Sequence, residues 1–167
     1  MFLDEYSYLY NGGAPVNCSF TEGKYYYFIQ PYKNGQSFYI DDNLNVRIVK
    51  DDCFTVTNQQ IRIDIKLPKF PADRSERLAI CKRWNISEPT LKDWFETRPF
   101  LIKDAFKGLN SAELDLSNLP KVSANVGYYY SEIAVRWGYF NTQSIDRIVK
   151  TKRRVMLISD AFNGVGK

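Results

Sequence analysis

Five cations crowd into eight residues near one end of the chain: Arg147, Lys150, Lys152, Arg153 and Arg154. Guanidinium and ammonium groups at that density suit the neutralisation of a phosphate backbone, with release of its counterions, and such binding falls steeply with salt. A solvated basic face is the plain alternative. Two acidic pairs, Asp41-Asp42 and Asp51-Asp52, lie in turn-like stretches, where adjacent carboxylates are more often solvated than bound to a cation. The chain has no histidine, so no imidazole serves as a base or a metal ligand. Cys18, Cys53 and Cys81 are too far apart for a four-ligand zinc site, and reduced, mostly buried thiols are expected. The residues call for no metal and no cofactor, and catalysis has little support.

A second set of polar residues lies at one helix start. Ser87 can cap a helix, Glu88 and Pro89 suit its first turn, and Leu91, Trp94 and Phe95 give it an apolar stripe. Upstream, Ile80, Cys81 and Trp84 share one face of a preceding helix. Asn85 can take a left-handed backbone and end that helix, and Ile86 then buries the turn. A second helix opened this way presents Ser87, Glu88, Thr90, Lys92 and Asp93 outward. A related pattern runs from Glu132 to Lys150. There Ala134 precedes Gly138 by four residues, and Tyr139, Asn141, Thr142, Gln143, Ile145, Arg147 and Lys150 follow.

The surrounding elements divide by charge and by periodicity. Residues 1–70 hold 7 Lys/Arg and 8 Asp/Glu, whereas residues 71–167 hold 16 and 11, so the positive excess lies wholly in the second part. The first part reads as β: Lys24 to Gln30, Gln36 to Ile40, Asn45 to Lys50 and Cys53 to Thr57 are β-prone. Ile61, Ile63, Ile65 and Leu67 alternate with Arg62, Asp64 and Lys66 as in a half-buried strand. Asn34-Gly35 and Asp41-Asp42-Asn43 supply turns. Pro68, Pro71 and the charged run Asp73 to Arg77 mark a boundary. Beyond it, helices are expected over Ser75–Trp84, Ser87–Thr97, Phe100–Leu109, Ser111–Leu119, Ser123–Trp137 and Ser144–Lys152. Arg153 to Ser159 is β-branched enough to be a strand. With the tail Asp160–Lys167 it looks like a strand entering a phosphate loop, but Ala161 stands where the first glycine belongs and the Ser/Thr after the lysine is missing, so as it stands the segment reads as a polar tail; an NTPase domain could follow if the chain is a fragment. No repeat of solenoid type is visible. Tyr25–Tyr27 and Tyr128–Tyr130 invite base stacking, but core and hairpin packing accounts for them better.

The first motif resembles the helix-turn-helix superfamily over about 20 residues. Cys81 stands where that family has a small residue, Asn85 where it usually has glycine, and Ile86 and Leu91 at its apolar positions. The resemblance implies that Ser87, Glu88, Thr90, Lys92 and Asp93 face a DNA major groove. The second motif resembles the second helix-turn-helix of AraC-type regulators, which implies DNA contacts for Asn141, Thr142, Gln143, Arg147 and Lys150, with Lys152, Arg153 and Arg154 beside them. The segment between the motifs is similar to ParB-like partition proteins.

The expected architecture is α+β: a small N-terminal antiparallel β module, residues 1–70, followed by a mainly helical helix-turn-helix region, residues 71–167. The expected function is sequence-specific binding of double-stranded DNA, as a transcriptional regulator. The alternatives are a plasmid or phage partition, replication or recombination accessory of a mobile element, and a protein–protein adaptor with no DNA binding. The β module would dimerise, bind a partner or position the helices. Met1–Tyr10 carries Asp4 and Glu5 in place of a basic start, and no apolar run approaches the roughly 20 residues of a membrane span. A cytoplasmic protein is expected, nucleoid-associated if bacterial, with no membrane partner.

Overall fold

The computed structural model describes residues 7–59, 61, 63, 65–112, 122–123, 128–139 and 142–165. Contacts divide the chain into two compact units, Met1–Ile65 and Lys66–Lys167. The architecture is α+β: an antiparallel sheet first, then helices.

The first unit is a five-stranded antiparallel sheet of β1 (Ser7–Tyr10), β2 (Tyr25–Pro31), β3 (Gln36–Ile40), β4 (Val46–Lys50) and β5 (Phe54–Thr57), in the order β4-β3-β2-β1-β5. β2, β3 and β4 follow one another as a meander, with the Asn34-Gly35 turn between the first two in left-handed backbone at both residues. β5 returns to pair with β1, with Tyr10 opposite Phe54. One face is nearly all aromatic. Tyr10, Tyr26, Tyr39 and Phe54 are buried together, and Tyr39 and Phe54 stack with centroids 4.0 Å apart. The Tyr25–Tyr27 cluster thus supplies sheet packing through Tyr26. β1, formed from residues not assigned to a strand in the sequence reading, completes that face.

The second unit contains α1 (Arg74–Trp84), α2 (Glu88–Thr97), α3 (Pro99–Gly108), α4 (Tyr130–Arg136), α5 (Thr142–Lys150) and α6 (Val155–Gly164), with a short hairpin of β6 (Val122–Ser123) and β7 (Tyr128–Tyr129) before α4. Its local signals behave as their chemistry requires. Asp73 caps α1 by accepting from the Glu76 N–H, and Ser87 caps α2 by accepting from the Thr90 N–H. Asn85 ends α1 at φ +53°, and Gly138 takes the same role after α4 at φ +75°.

These helices form two copies of one pattern, which the sequence reading missed. Arg98, Leu101, Ile102, Asp104, Ala105, Phe106 and Gly108 in the first copy are matched by Arg154, Leu157, Ile158, Asp160, Ala161, Phe162 and Gly164 in the second, at identical spacing. Arg83-Trp84 is matched by Arg136-Trp137, which precede the second block by three more residues than the first pair precedes the first. The core respects the pairing: Trp84 and Trp137, Leu91 and Ile145, Leu101 and Leu157, and Ile102 and Ile158 are all fully buried.

The contacts between copies are reciprocal, as across a twofold axis. Arg83 grips Asp160 by two hydrogen bonds, of 2.7 and 2.6 Å, and the Trp84 indole donates to the same carboxylate at 2.8 Å. Arg136 grips Asp104 at 2.7 and 3.0 Å, and the Trp137 indole donates at 2.9 Å. Both clasps are charge-assisted forks onto buried carboxylates. Where α3 meets α6, a Cβ on Gly108 would lie 1.9 Å from the Asp160 carbonyl oxygen, and one on Gly164 would lie 1.7 Å from that of Asp104. Only glycine permits this approach, from either side.

Several expectations need correction. Arg153–Ser159 is not a strand, because Val155–Gly164 is α6, whose Leu157, Ile158 and Ala161 fill the helical core. The phosphate-loop reading of the tail falls with it: Asp160 is a buried clasp and Gly164 a close-approach residue, while Gly166 and Lys167 lie outside the described residues. Ser123–Trp137 is not one helix; its start is the β6–β7 hairpin, and only Tyr130–Arg136 is helical. Ile61, Ile63 and Ile65 carry no strand pairing, and Arg62 and Asp64 lie outside the described residues. The helix expected at Ser111–Leu119 falls largely on residues 113–119, also outside them.

Candidate nucleic-acid interface

α2 is presented as the spacing of its apolar residues requires. Leu91 and Trp94 are buried, and Ser87, Lys92 and Asp93 are exposed. Most of its expected contact groups already hold partners. The Ser87 hydroxyl lies 2.8 Å from that of Thr90, and the Glu88 carboxylate accepts from Arg77 at 2.8 Å. The Asp93 carboxylate accepts from the Thr97 hydroxyl. Lys92 is the only cation on α2, against Glu88, Asp93 and Glu96. Such a face repels a polyanion unless a carboxylate meets a base donor directly.

α5 carries the opposite charge. Ile145 is fully buried and Ile148 half-buried, which turns Gln143, Asp146, Arg147 and Lys150 to solvent. Thr142 is half-buried at the helix start, and Asn141 lies outside the described residues. The loop from α5 to α6 continues the cationic surface with exposed Lys152 and Arg153 and half-buried Arg154. This loop is longer than its counterpart between α2 and α3, where Thr97, Arg98 and Pro99 follow directly. Lys152 and Arg154 hold left-handed backbone at φ +51° and +61°. That conformation costs a side-chain-bearing residue about 1–2 kcal/mol and requires compensation from the surrounding structure.

A cleft of about 700 Å³ opens beside this loop. Arg98, Gly138, Tyr139, Ser144, Arg147, Ile148, Thr151, Arg153 and Arg154 line it, so that four arginines and no acidic residue border it among the described residues. Arg98 contributes from the α2–α3 junction and lies over the Tyr139 ring at 4.7 Å and the Trp94 ring at 5.6 Å. Arg154, its counterpart in the second copy, also lies over the Trp94 ring, at 5.0 Å. Burial pushes the Tyr139 hydroxyl above its ordinary pKa, while the Arg98 and Arg154 charges act against that rise. The cleft can therefore hold an anion against preoriented arginine forks.

Sequence reasoning missed Arg98 and Tyr139 as cleft residues. The signal for Arg98 was its equivalence to Arg154 in the repeated pattern; nothing local marked it. The acidic pair Asp41-Asp42 of the sheet unit is committed internally. Asp41 accepts from the backbone N–H groups of Asn43 and Asn45 and pairs with Arg47, and Asp42 accepts from Tyr26 and Thr21. Among the described residues no cluster of His, Cys, Asp and Glu could hold a metal ion, and no helix is long and apolar enough to cross a membrane. Cys53 and Cys81 are buried free thiols, each pushed up in pKa by burial. Comparison of the chain with protein-family models, with curated proteins and with solved structures returns no match.

Proposed function

We propose that the helical unit binds double-stranded DNA, and that its second copy makes the principal contact. In this reading Thr142 and Gln143 at the start of α5 approach base edges, and Arg147, Lys150, Lys152 and Arg153 engage phosphates. The observation that carries the reading is the continuity of exposed cations from α5 into its following loop, on a helix that begins just after a tight turn. α2 contributes less, through Ser87, Thr90 and Lys92, because its other outward charges are acidic. A regulator is the first form of this function. A partition, replication or recombination accessory is the second, and clustered target repeats in place of one or two operator sites would distinguish it.

The test is fluorescence anisotropy of the full chain against a random duplex pool across a salt series, followed by sequencing of the bound fraction. The expected result is binding that weakens steeply with salt and an enriched motif. Charge reversal at Lys92 is expected to lower specific affinity more than non-specific affinity; equal losses would count against base reading by α2. A protein–protein adaptor is favoured by one feature, the acidic outer face of α2. It expects no duplex binding even at low salt.

A further inference from the structure

Most arginines with a structural role in this protein are neutralised by a named carboxylate. Arg47 has Asp41, Arg77 has Glu88, Arg83 has Asp160 and Arg136 has Asp104. The four arginines of the cleft between α5, the α5–α6 loop and the α2–α3 junction have no such ion pair among the described residues. Arg98 reaches two neutral partners, the Trp137 carbonyl at 3.5 Å and the Tyr139 hydroxyl. The Nε of Arg154 is fully buried and has no hydrogen-bond partner among the described residues. A buried donor on a charged group without an acceptor is costly and calls for one.

We propose that this cleft is a binding site for a phosphate ester, with Arg98 and Arg154 as its fixed arginines and Arg147 and Arg153 at its mouth. The two fixed groups come from equivalent positions of the two copies and converge on Trp94. Contact with the aromatic rings restrains both side chains, so little side-chain freedom is lost when an oxyanion enters. Ser144 adds a neutral hydroxyl to the lining. Planar guanidinium forks match the paired oxygens of phosphate better than a halide or a single charge. The cleft volume of about 700 Å³ exceeds what a bare phosphate needs and lies within the range that takes small organic ligands. The ester is therefore either a backbone phosphate of bound DNA, in which case the site deepens the DNA reading, or a free nucleotide-like molecule, in which case it stands without it.

The experiment titrates the isotopically labelled full chain with dAMP, with inorganic phosphate and with a short duplex, observed by NMR, and then runs dAMP against duplex in competition. The expected result is that dAMP shifts resonances of the cleft and that Arg98→Lys and Arg154→Lys, which keep the charge and lose the fork, each weaken it about tenfold or more. Exposed Lys82→Ala on α1 serves as the unaffected control. If either lysine variant fails to fold by circular dichroism, the exposed pair Arg147→Ala and Arg153→Ala carries the same expectation. Competition between dAMP and duplex identifies the ester as the DNA backbone. dAMP binding without duplex binding supports the site and removes the DNA reading. Duplex binding that survives the fork variants, with no dAMP response, overturns the site and leaves the DNA reading intact. No response to any of the three overturns both.

Discussion

The two copies within the helical unit, residues 74–108 and 130–164, share a core and differ at the surface. Their buried positions match almost residue for residue, and each lends its Arg-Trp pair to the other's aspartate. Their outward helices have opposite character. α2 sets Lys92 against Glu88, Asp93 and Glu96, whereas α5 sets Arg147 and Lys150 against Asp146. The longer loop after α5 then adds Lys152 and Arg153, which have no counterpart between α2 and α3. A duplicated core keeps its residues because close packing penalises change, while the solvated face is free to diverge. The lesson is that the copies are alike in their core and unlike in their surface charge.

The largest test of that equivalence is at the helix crossing. Gly108→Ala and Gly164→Ala each force a methyl into a backbone carbonyl that cannot move without shifting a helix. Each is expected to destabilise the unit by more than about 3 kcal/mol, beyond the usual range for overpacking. Urea unfolding followed by tryptophan fluorescence reads this directly, since Trp84, Trp94 and Trp137 all lie in this unit. A mild effect at one glycine alone would break the twofold description.

The clasps come next. Asp104→Ala and Asp160→Ala each leave a buried indole N–H and an arginine without their acceptor, at a cost of about 3–5 kcal/mol. Asp104→Ala should be the costlier, because the Arg136 side chain is 8% exposed and Arg83 is 31% exposed, so only Arg83 can regain water. The reverse order in chemical denaturation would show that solvent access does not set the difference.

The difference in surface charge gives a smaller effect, under the proposed DNA binding. Lys150→Ala should reduce the slope of log affinity against log salt by about one, the mark of a lost phosphate contact. Lys92→Ala should leave that slope unchanged. Equal slope changes in anisotropy titrations would mean that both copies track phosphates.

The smallest effect concerns the cap of α1, which has no described equivalent in the second copy. Hydrogen bonds from Ser75 and the Glu76 N–H lower the Asp73 pKa. A carboxyl lowered on folding stabilises above its unfolded value of about 3.9 and loses that contribution as pH falls through the folded value. Asp73→Asn should thus lower the thermal midpoint slightly at neutral pH and narrow its gap from the wild type in acid. A gap that widens in acid would refute the cap.

Much of this was legible in the chain. The helix spacing of Ile80, Cys81 and Trp84, the cap at Ser87 and the left-handed Asn85 each follow from local chemistry, and all three are found. The strands over Gln36–Ile40 and 46–50 follow from β-prone residues between turn signals. α6 was misread because its β-branched and apolar start is also what a fully buried helix looks like, and periodicity cannot separate the two in a short run. The repeated Asp-Ala-Phe-x-Gly was present in the letters, but its meaning depends on contacts that span more than 70 residues.

The sequence by itself determined the division into a β part and a basic helical part, the helix ends and turns, and the clustering of cations after Ile145, because these rest on residue type and neighbouring positions. Only the tertiary structure decided that Asp104 and Asp160 are internal clasps, that the two glycines bring α3 and α6 together, and that Arg98 joins Arg147, Arg153 and Arg154 around one cleft. Those outcomes rest on groups brought together from distant positions, where burial and mutual geometry, not spacing along the chain, set which charge is neutralised by a carboxylate and which is not.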